Sequence, residues 1–471
     1  MKNLVIVESP SKSKTIEKYL GQDYEVVSSK GHIRDLATKG KEGLGVDVDH
    51  DFAPTYSISK EKASVVKELK AKAKKADFVY LATDPDREGE AISWHLASEL
   101  DVNLEENNRV EFHEITKDAV LEAFKHPRKV DMDLVHSQET RRILDRIIGF
   151  KLSKLLNSKI KSKSAGRVQS VALKLIVERE KEIAAFVPQE YWTLDAKFKE
   201  NDIEFGASLT KIHGKKAEVK TAEQAEEIKN ACSGPFEITS IKKQVRKKES
   251  KLPLITSTLQ QEASTKLGFS AKRTMSIAQK LYEGIEHDGT TEGLITYMRT
   301  DSTRLSNVFI ESCRAMILQK YGKEYLGVYK VKKDSNAQDA HEAIRPTNVE
   351  NTPEKMKPYL SAEQHKLYKL IYARAVASLM AAAKNNTVSV VLSQNGYDFN
   401  ASGSQQIFDG YLKVLGEYET SKDTILPELV EHQMCTAAEL KANQHFTEPP
   451  LRYSEARLIK EMEEAGIGRP S

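Results

Sequence analysis

Tyr297 stands in the run Leu294-Ile295-Thr296-Tyr297-Met298-Arg299-Thr300-Asp301-Ser302-Thr303-Arg304, between apolar residues and a dense set of hydroxyl, carboxylate and guanidinium groups. A tyrosine hydroxyl, with a reference pKa of about 10, attacks poorly at neutral pH unless cationic or metal neighbours favour the phenolate. Arg299 and Arg304 are the nearest candidates for that task. Their guanidinium forks also match the oxyanions of a phosphodiester. The run points to phosphoryl transfer with Tyr297 as nucleophile. Its alternative is a buried tyrosine at a strand end followed by a polar turn.

The acidic run Asp84-Pro85-Asp86-Arg87-Glu88-Gly89-Glu90 directly follows the apolar stretch Phe78–Ala82. Asp84, Asp86 and Glu88 are spaced by two, which in extended backbone projects them to one side. Three carboxylates held together call for a cation, and hard oxygen donors suit Mg²⁺. A calcium loop of the EF-hand type is excluded, because its twelfth position would be His95 where a bidentate Glu is required. Glu8, at the carboxyl end of the first predicted strand, adds a fourth carboxylate, with Lys12 one helical turn away. Such a group can bind Mg²⁺ and move a proton at a leaving oxygen. A solvated acidic turn remains the rival explanation.

Further polar groups recur along the chain. Gly31-His32-Ile33-Arg34 offers His32 and Arg34 beside a turn. On a helix predicted from about Val135 to Leu156, Ile143, Leu144, Ile147, Ile148 and Leu155 form an apolar face. Arg142, Arg146 and Phe150 fall opposite at i, i+4, i+8, a pattern suited to phosphate contact and base stacking. Ser164-Ala165-Gly166-Arg167-Val168-Gln169-Ser170 opens another helix, with Ser164 as predicted N-cap and Arg167 closing a phosphate seat. His341-Glu342-Ala343-Ile344-Arg345-Pro346 pairs a His and an Arg within reach of phosphate.

These groups need several positioning elements. At 471 residues the chain suggests three or four domains of about 100–200 residues. Leu4–Val7 and Phe78–Ala82 read as strands of a parallel sheet buried on both faces. Residues 133–186 read as helices with a break near Ser158–Ser164, Tyr191 to about Val245 as strands, and Lys242–Lys251 as a linker. Helical periodicity returns over Ser257–Glu283 and Ala362–Ala383, and strand alternation over Val388–Gln433. A β-rich unit is therefore expected to be interrupted by the helical insert that carries Tyr297.

With 39% hydrophobic and 30% charged residues, no long apolar run and no signal-peptide pattern at the start, the expectation is a soluble cytoplasmic protein with no membrane partner. Cys232, Cys313 and Cys435 form no Cys-x-x-Cys pair, which argues against a zinc ribbon or disulfide framework within this chain. Net charge is only +3, yet Arg141–Glu182 holds twelve Lys/Arg against four Asp/Glu. That stretch suits a polyanion such as nucleic acid, although a solvated helix face gives the same count.

Taken in order, Glu8, the Asp84/Asp86/Glu88 set, Ser164–Ser170, Tyr297–Arg304 and His341–Pro346 make the chain resemble the type IA topoisomerases of the bacterial topoisomerase I branch, from Met1 to Ser471. Met298 favours that branch over the topoisomerase III branch, which typically carries Pro there. The resemblance implies a multidomain α/β, α and β architecture. It comprises an N-terminal Toprim domain with a Rossmann-like parallel sheet (1–131), a helical strand-binding domain (132–187 plus 446–471), a β-rich arch (188–255 plus 385–445) and a helical domain carrying the tyrosine (256–384), arranged as a torus.

It further implies that Tyr297 forms a 5′-phosphotyrosine link to one DNA strand while the other strand passes. Arg299 would stabilise the scissile phosphate, and Lys12 and Glu8 would assist the leaving 3′-oxygen. Asp84, Asp86, Glu88 and Glu8 would hold Mg²⁺. His32, Arg34, Arg142, Asp145, Arg146, Phe150, Ser164, Arg167, Gln169, Asp301, His341 and Arg469 would contact DNA. No phosphate loop of the Gly-x-x-x-x-Gly-Lys type is found, in keeping with independence of ATP; the resemblance also implies a monomeric, nucleoid-associated enzyme that relaxes negative supercoils.

Phe150 replaces a Tyr found in some relatives, keeping a stacking ring and losing a hydroxyl. In the family the final run Gly466–Ser471 continues into the rest of its domain and into further DNA-binding modules. The resemblance therefore implies an N-terminal fragment, able to cleave and poor at relaxation. Two other classes stay open on sequence: a Mg²⁺-dependent nuclease or primase-like protein using the carboxylates alone, and a non-catalytic nucleic-acid clamp.

Overall fold

The computed structural model describes residues 2–161, 164–329, 341–419 and 422–468. The N-terminal sheet is parallel, with β1 (Asn3–Val7) between β2 (Tyr24–Ser28) and β3 (Val79–Leu81). Side-chain alternation in β1 gives the sheet two different faces. Leu4 and Ile6 pack with Val66, Leu69 and Leu96 in one core. Val5 and Val7 belong to another, which also contains Tyr282, Leu294 and Tyr297. The tyrosine-bearing helices therefore cover one face of this sheet. At about 1.5–3 kcal/mol for each fully buried large apolar side chain, that shared core is a substantial joint.

Between β1 and β2 runs α1 (Pro10–Leu20), capped by Ser9 and started by Pro10, whose missing N–H costs nothing in the first turn. After β3 the chain turns into α2 (Arg87–Leu100), N-capped by Asp86. Gly89 is required there for close approach: a Cβ would lie 2.0 Å from the Asp84 carbonyl oxygen.

Two long helices follow, α3 (Met132–Ile160) and α4 (Arg167–Ala185). The predicted apolar face of α3 is overturned. Leu144 and Leu155 are exposed, and Arg146 is buried, donating to the carbonyls of Leu36, Ala37 and Leu44. Periodicity counted apolar residues correctly but could not reveal that open carbonyls of the 36–44 loop need a cationic donor. The N-cap of α4 is Gly166, and Ser164 makes no cap bond, so that assignment is corrected too.

The β-rich part is one curled sheet of β4 (Glu190–Glu200), β5 (Ile203–Ile212), β6 (Phe236–Lys248), β7 (Ala383–Gln394), β8 (Tyr397–Phe408), β9 (Met434–Cys435) and β10 (Ala437–Phe446), with Lys215–Lys216 pairing beside β5. The path is β9-β6-β7-β8-β5-β4-β10. Most of the run read as a basic linker is the end of β6, since Lys242 to Lys248 pair in register with Ser389 to Ala383 of β7. Its lysines fitted a linker by composition. Backbone pairing with a strand far away in sequence decided otherwise.

Between β6 and β7 lie α5 (Thr256–Glu262), α6 (Ala271–Glu283), α7 (Asn307–Tyr321) and α8 (Ala362–Ala377), and α9 (Glu455–Glu464) rests on α5. No helix among the described residues is long and apolar enough to cross a membrane.

Candidate active site

Parallel strands deliver the first two carboxylates. Glu8 follows β1 and Asp84 lies three residues beyond β3, and the Glu8 Oε2 accepts the Asp84 N–H at 3.0 Å. Lys12, projected back from α1, has no solvent exposure and donates to Glu8 Oε1 and Asp84 Oδ1, each at 3.0 Å. Burial and then the Asp84 charge push Glu8 up to about 8. Burial opposes ionisation of Asp84 as well, but the Lys12 charge, hydrogen bonds with Glu8 and Lys12 and the Arg299 charge together hold this carboxyl below its usual range. For Lys12, burial alone would lower the pKa; the two carboxylates raise it instead.

The tyrosine reaches this group from the other side. Residues 293–297 lie along residues 113–115, with Gly293 N donating to Ile115 O at 2.8 Å and Tyr297 N to His113 O at 2.7 Å. This close packing leaves no room for a side chain at position 293, where a Cβ would fall 2.4 Å from the Tyr282 carbonyl oxygen. The Tyr297 ring meets Tyr282 edge-on at 5.2 Å, and its hydroxyl donates to Asp86 Oδ2 at 2.6 Å.

Arg299 favours the Tyr297 phenolate, as expected, but in this state it is outweighed. Burial, then the Asp84 and Asp86 charges, raise its hydroxyl far above the ordinary tyrosine range. Arg304 donates to the His341 carbonyl instead. Arg299 stands 3.5 Å from Asp86 Oδ2 with its side chain 42% exposed, so it can also face a ligand. Asp86 itself is raised by burial and by Asp84. The phenol rests protonated and donates to Asp86.

The acidic run is not extended. Asp86 caps α2 by accepting from Gly89 N at 2.7 Å, and Glu88 lies in the first helical turn. Glu88 consequently points elsewhere, toward His32 Nε2 and Gln138 Nε2, both at 3.1 Å. Among the described residues no three His, Cys, Asp or Glu side chains are gathered as a metal cage. The donor chemistry of Glu8, Asp84, Asp86 and Glu88 fits a hard divalent cation. Glu8, raised first by burial and then by Asp84, gives up its proton more readily once a cation stands beside it.

His341 is buried, touches the Pro85 carbonyl through Nε2 and lies 6.2 Å ring to ring from Tyr297. Asp301, in the polar turn that follows Tyr297, is half-buried. Arg34 is set among Tyr56, Trp94 and His95, donating to the last of these, and pairs with Glu99. Along α3 and α4, Arg142 binds Asp35, Arg146 lies over the Phe150 ring at 4.9 Å, Arg167 binds Asp145 at 3.0 Å and Gln169 reaches Ser164. Arg469 lies outside the described residues.

Sequence reasoning missed the support beneath the acidic turn. Arg109, fully buried, donates to Glu90 Oε2 at 2.9 Å and to the carbonyls of Thr83 and Asp84 at 2.8 and 2.7 Å. Arg128 binds both Glu90 and Glu111. Glu90 belongs to the run already singled out, but no local pattern marks Arg109.

A parallel-sheet domain whose strand ends present carboxylates to a tyrosine from a helical insert is the arrangement of a DNA topoisomerase. Residues 129–471 match the DNA topoisomerase family and residues 3–115 the Toprim domain. The chain is similar to the solved full-length topoisomerase I from Thermotoga maritima: 43% identity and a TM-score of 0.88, covering 99% of this chain and 76% of that one. It belongs to the bacterial type IA DNA topoisomerases.

Proposed function

We propose that the enzyme acts without ATP, cutting one strand of a single-stranded DNA segment through Tyr297, passing the other strand and rejoining the cut to relax negative supercoils. The observation that carries this reading is the 2.6 Å contact of the Tyr297 hydroxyl with Asp86, beside the Lys12–Asp84–Glu8 cluster. In the cleavage step the Tyr297 oxygen bonds to phosphorus, the bond from phosphorus to the 3′-oxygen breaks, and the phenolic proton leaves toward Asp86. Lys12 and Glu8 deliver a proton to the departing 3′-oxygen. Arg299 turns its exposed guanidinium to the scissile phosphate.

Energy stays in the tyrosyl phosphodiester, so rejoining is the same step reversed. Glu8, Asp84 and Asp86 would hold Mg²⁺, with Glu88 turned away toward His32 and Gln138; the ion when bound supplies positive charge against the phosphates. Arg142, Phe150, Arg167, Gln169, Ser164, His32, Arg34, Asp301 and His341 form the strand-binding surface, with Arg146 bracing the 36–44 loop beneath it, and the protein works as a monomer.

The test is direct: incubate the protein with single-stranded DNA, quench with denaturant and look for protein joined to the 5′ end. An adduct with the parent protein and none with Tyr297→Phe is the expected result. Free cut ends with both proteins would mean a nuclease, and intact DNA with both a clamp.

A further inference from the structure

We propose that Glu114 and Arg345 are positioning residues, a charged clasp that returns Tyr297 to register against the Toprim carboxylates after each strand passage. This rests on the assignment of Tyr297 as nucleophile.

Arg345 lies in the tyrosine-bearing part and is buried, with 4% exposure. Its backbone pairs with the residue before the nucleophile, exchanging Thr296 N to Arg345 O and Arg345 N to Thr296 Oγ1 at 3.0 Å each. Its side chain is held by Glu342 at 2.9 Å, by the Pro346 carbonyl at 3.1 Å and over the Phe309 ring at 4.9 Å. The remaining nitrogen crosses to the other side, 3.2 Å from Ser306 Oγ and 3.0 Å from Glu114 Oε2.

Glu114 is equally fixed. Its other oxygen accepts from Thr116, the cap of the helix at Lys117–Ala123, and its neighbours His113 and Ile115 accept the backbone bonds of Tyr297 and Gly293. The ion pair therefore joins the two strips whose alignment sets the distance from Tyr297 to Asp86. The two charges lie 3.0 Å apart in a buried setting without an aligned hydrogen bond at Glu114 Oε2, so their attraction falls off as the strips slip and favours this register.

An intact strand bound across both parts tethers them, whereas a cut strand does not. Weakening the clasp therefore favours separation only after cleavage, and the cut form accumulates. A loss of folded protein would do the opposite and lower the adduct.

The experiment forms the covalent complex on a single-stranded oligonucleotide with the parent and Glu114→Gln, then follows rejoining after addition of Mg²⁺ and salt. The expected result is a larger covalent fraction and rejoining slowed on the order of ten-fold in Glu114→Gln. Combining Glu114→Gln with Arg345→Lys should slow it no further. Arg345→Lys alone gives the same reading if Glu114→Gln does not fold. Rejoining at the parental rate, or a reduced covalent fraction, overturns the clasp. No adduct in the parent overturns the nucleophile assignment and the clasp together.

Discussion

The Lys12 ammonium lies 3.0 Å from the Asp84 carboxylate, in a position without solvent access, at the place where two parallel strands end. One cation on a short helix thereby bridges carboxylates that follow two neighbouring strands.

Removing that cation with Lys12→Met leaves Glu8 and Asp84 facing each other in a buried site. We expect a loss of about 3–5 kcal/mol in chelator, the cost of orphaning a buried charge. If these carboxylates hold the metal, millimolar Mg²⁺ restores part of it. Urea unfolding with and without Mg²⁺ measures both terms, and an equal loss in the two buffers would separate the metal from this pair.

Glu90 and Glu111 both ionise more readily than usual: burial works against them, but Arg109 and Arg128 outweigh it. A depressed folded pKa gives stability that is present above the ordinary carboxylate value of 4.5 and is lost as pH falls through the folded value. This contribution of Glu90 and Glu111 should hold from neutrality down to about pH 5 and be lost steeply below. Glu90→Gln should cost about 3–5 kcal/mol at neutral pH, with the gap to the parent narrowing in acid. Denaturant titrations across pH check the sign.

Tyr297→Phe, proposed above to prevent the covalent adduct, also removes a donor from Asp86, whose side chain is 1% exposed. Asp86 keeps Gly89 N and the more distant Arg299. A destabilisation of about 1–3 kcal/mol is expected. Calorimetry of the two proteins free of DNA reads it, and an unchanged melting temperature would show that the hydroxyl bond is not made in solution.

Two glycines should respond oppositely to alanine. Gly89→Ala drives a methyl group into the Asp84 carbonyl and should cost about 1–3 kcal/mol or more while displacing the acidic turn, so cleavage falls with it. Gly149, inside α3, has open space where a Cβ would stand, with nothing within 4 Å, and its backbone is not left-handed. Gly149→Ala should stabilise by about 0.5–1 kcal/mol. Melting and cleavage assays on both variants compare the two directions.

The chemistry-bearing runs were legible because each is local: the tyrosine with its arginines, the acidic turn, the carboxylate one helical turn before a lysine. What escaped depends on partners distant in sequence. The spacing of Asp84, Asp86 and Glu88 suggested one side of an extended chain. Instead the Asp86 side chain found the free amide of Gly89 and started a helix, turning Glu88 toward His32 and Gln138. Likewise Arg146 looked like a solvent-facing cation and is buried because three loop carbonyls require a donor. Arg109, which fastens the acidic turn from beneath, carries no signature in its own neighbourhood. Hydrophobic period reports burial of carbon and is silent on where a polar backbone must be satisfied.

The pairing of Lys248 with Ala383 closes the sheet on both sides of the tyrosine-bearing insert. Both ends of that insert leave from adjacent strands of one ribbon, like a pendulum hung on paired cords. The insert is therefore fastened to the sheet at a single place, and the contacts that hold Tyr297 against Asp86 are all noncovalent.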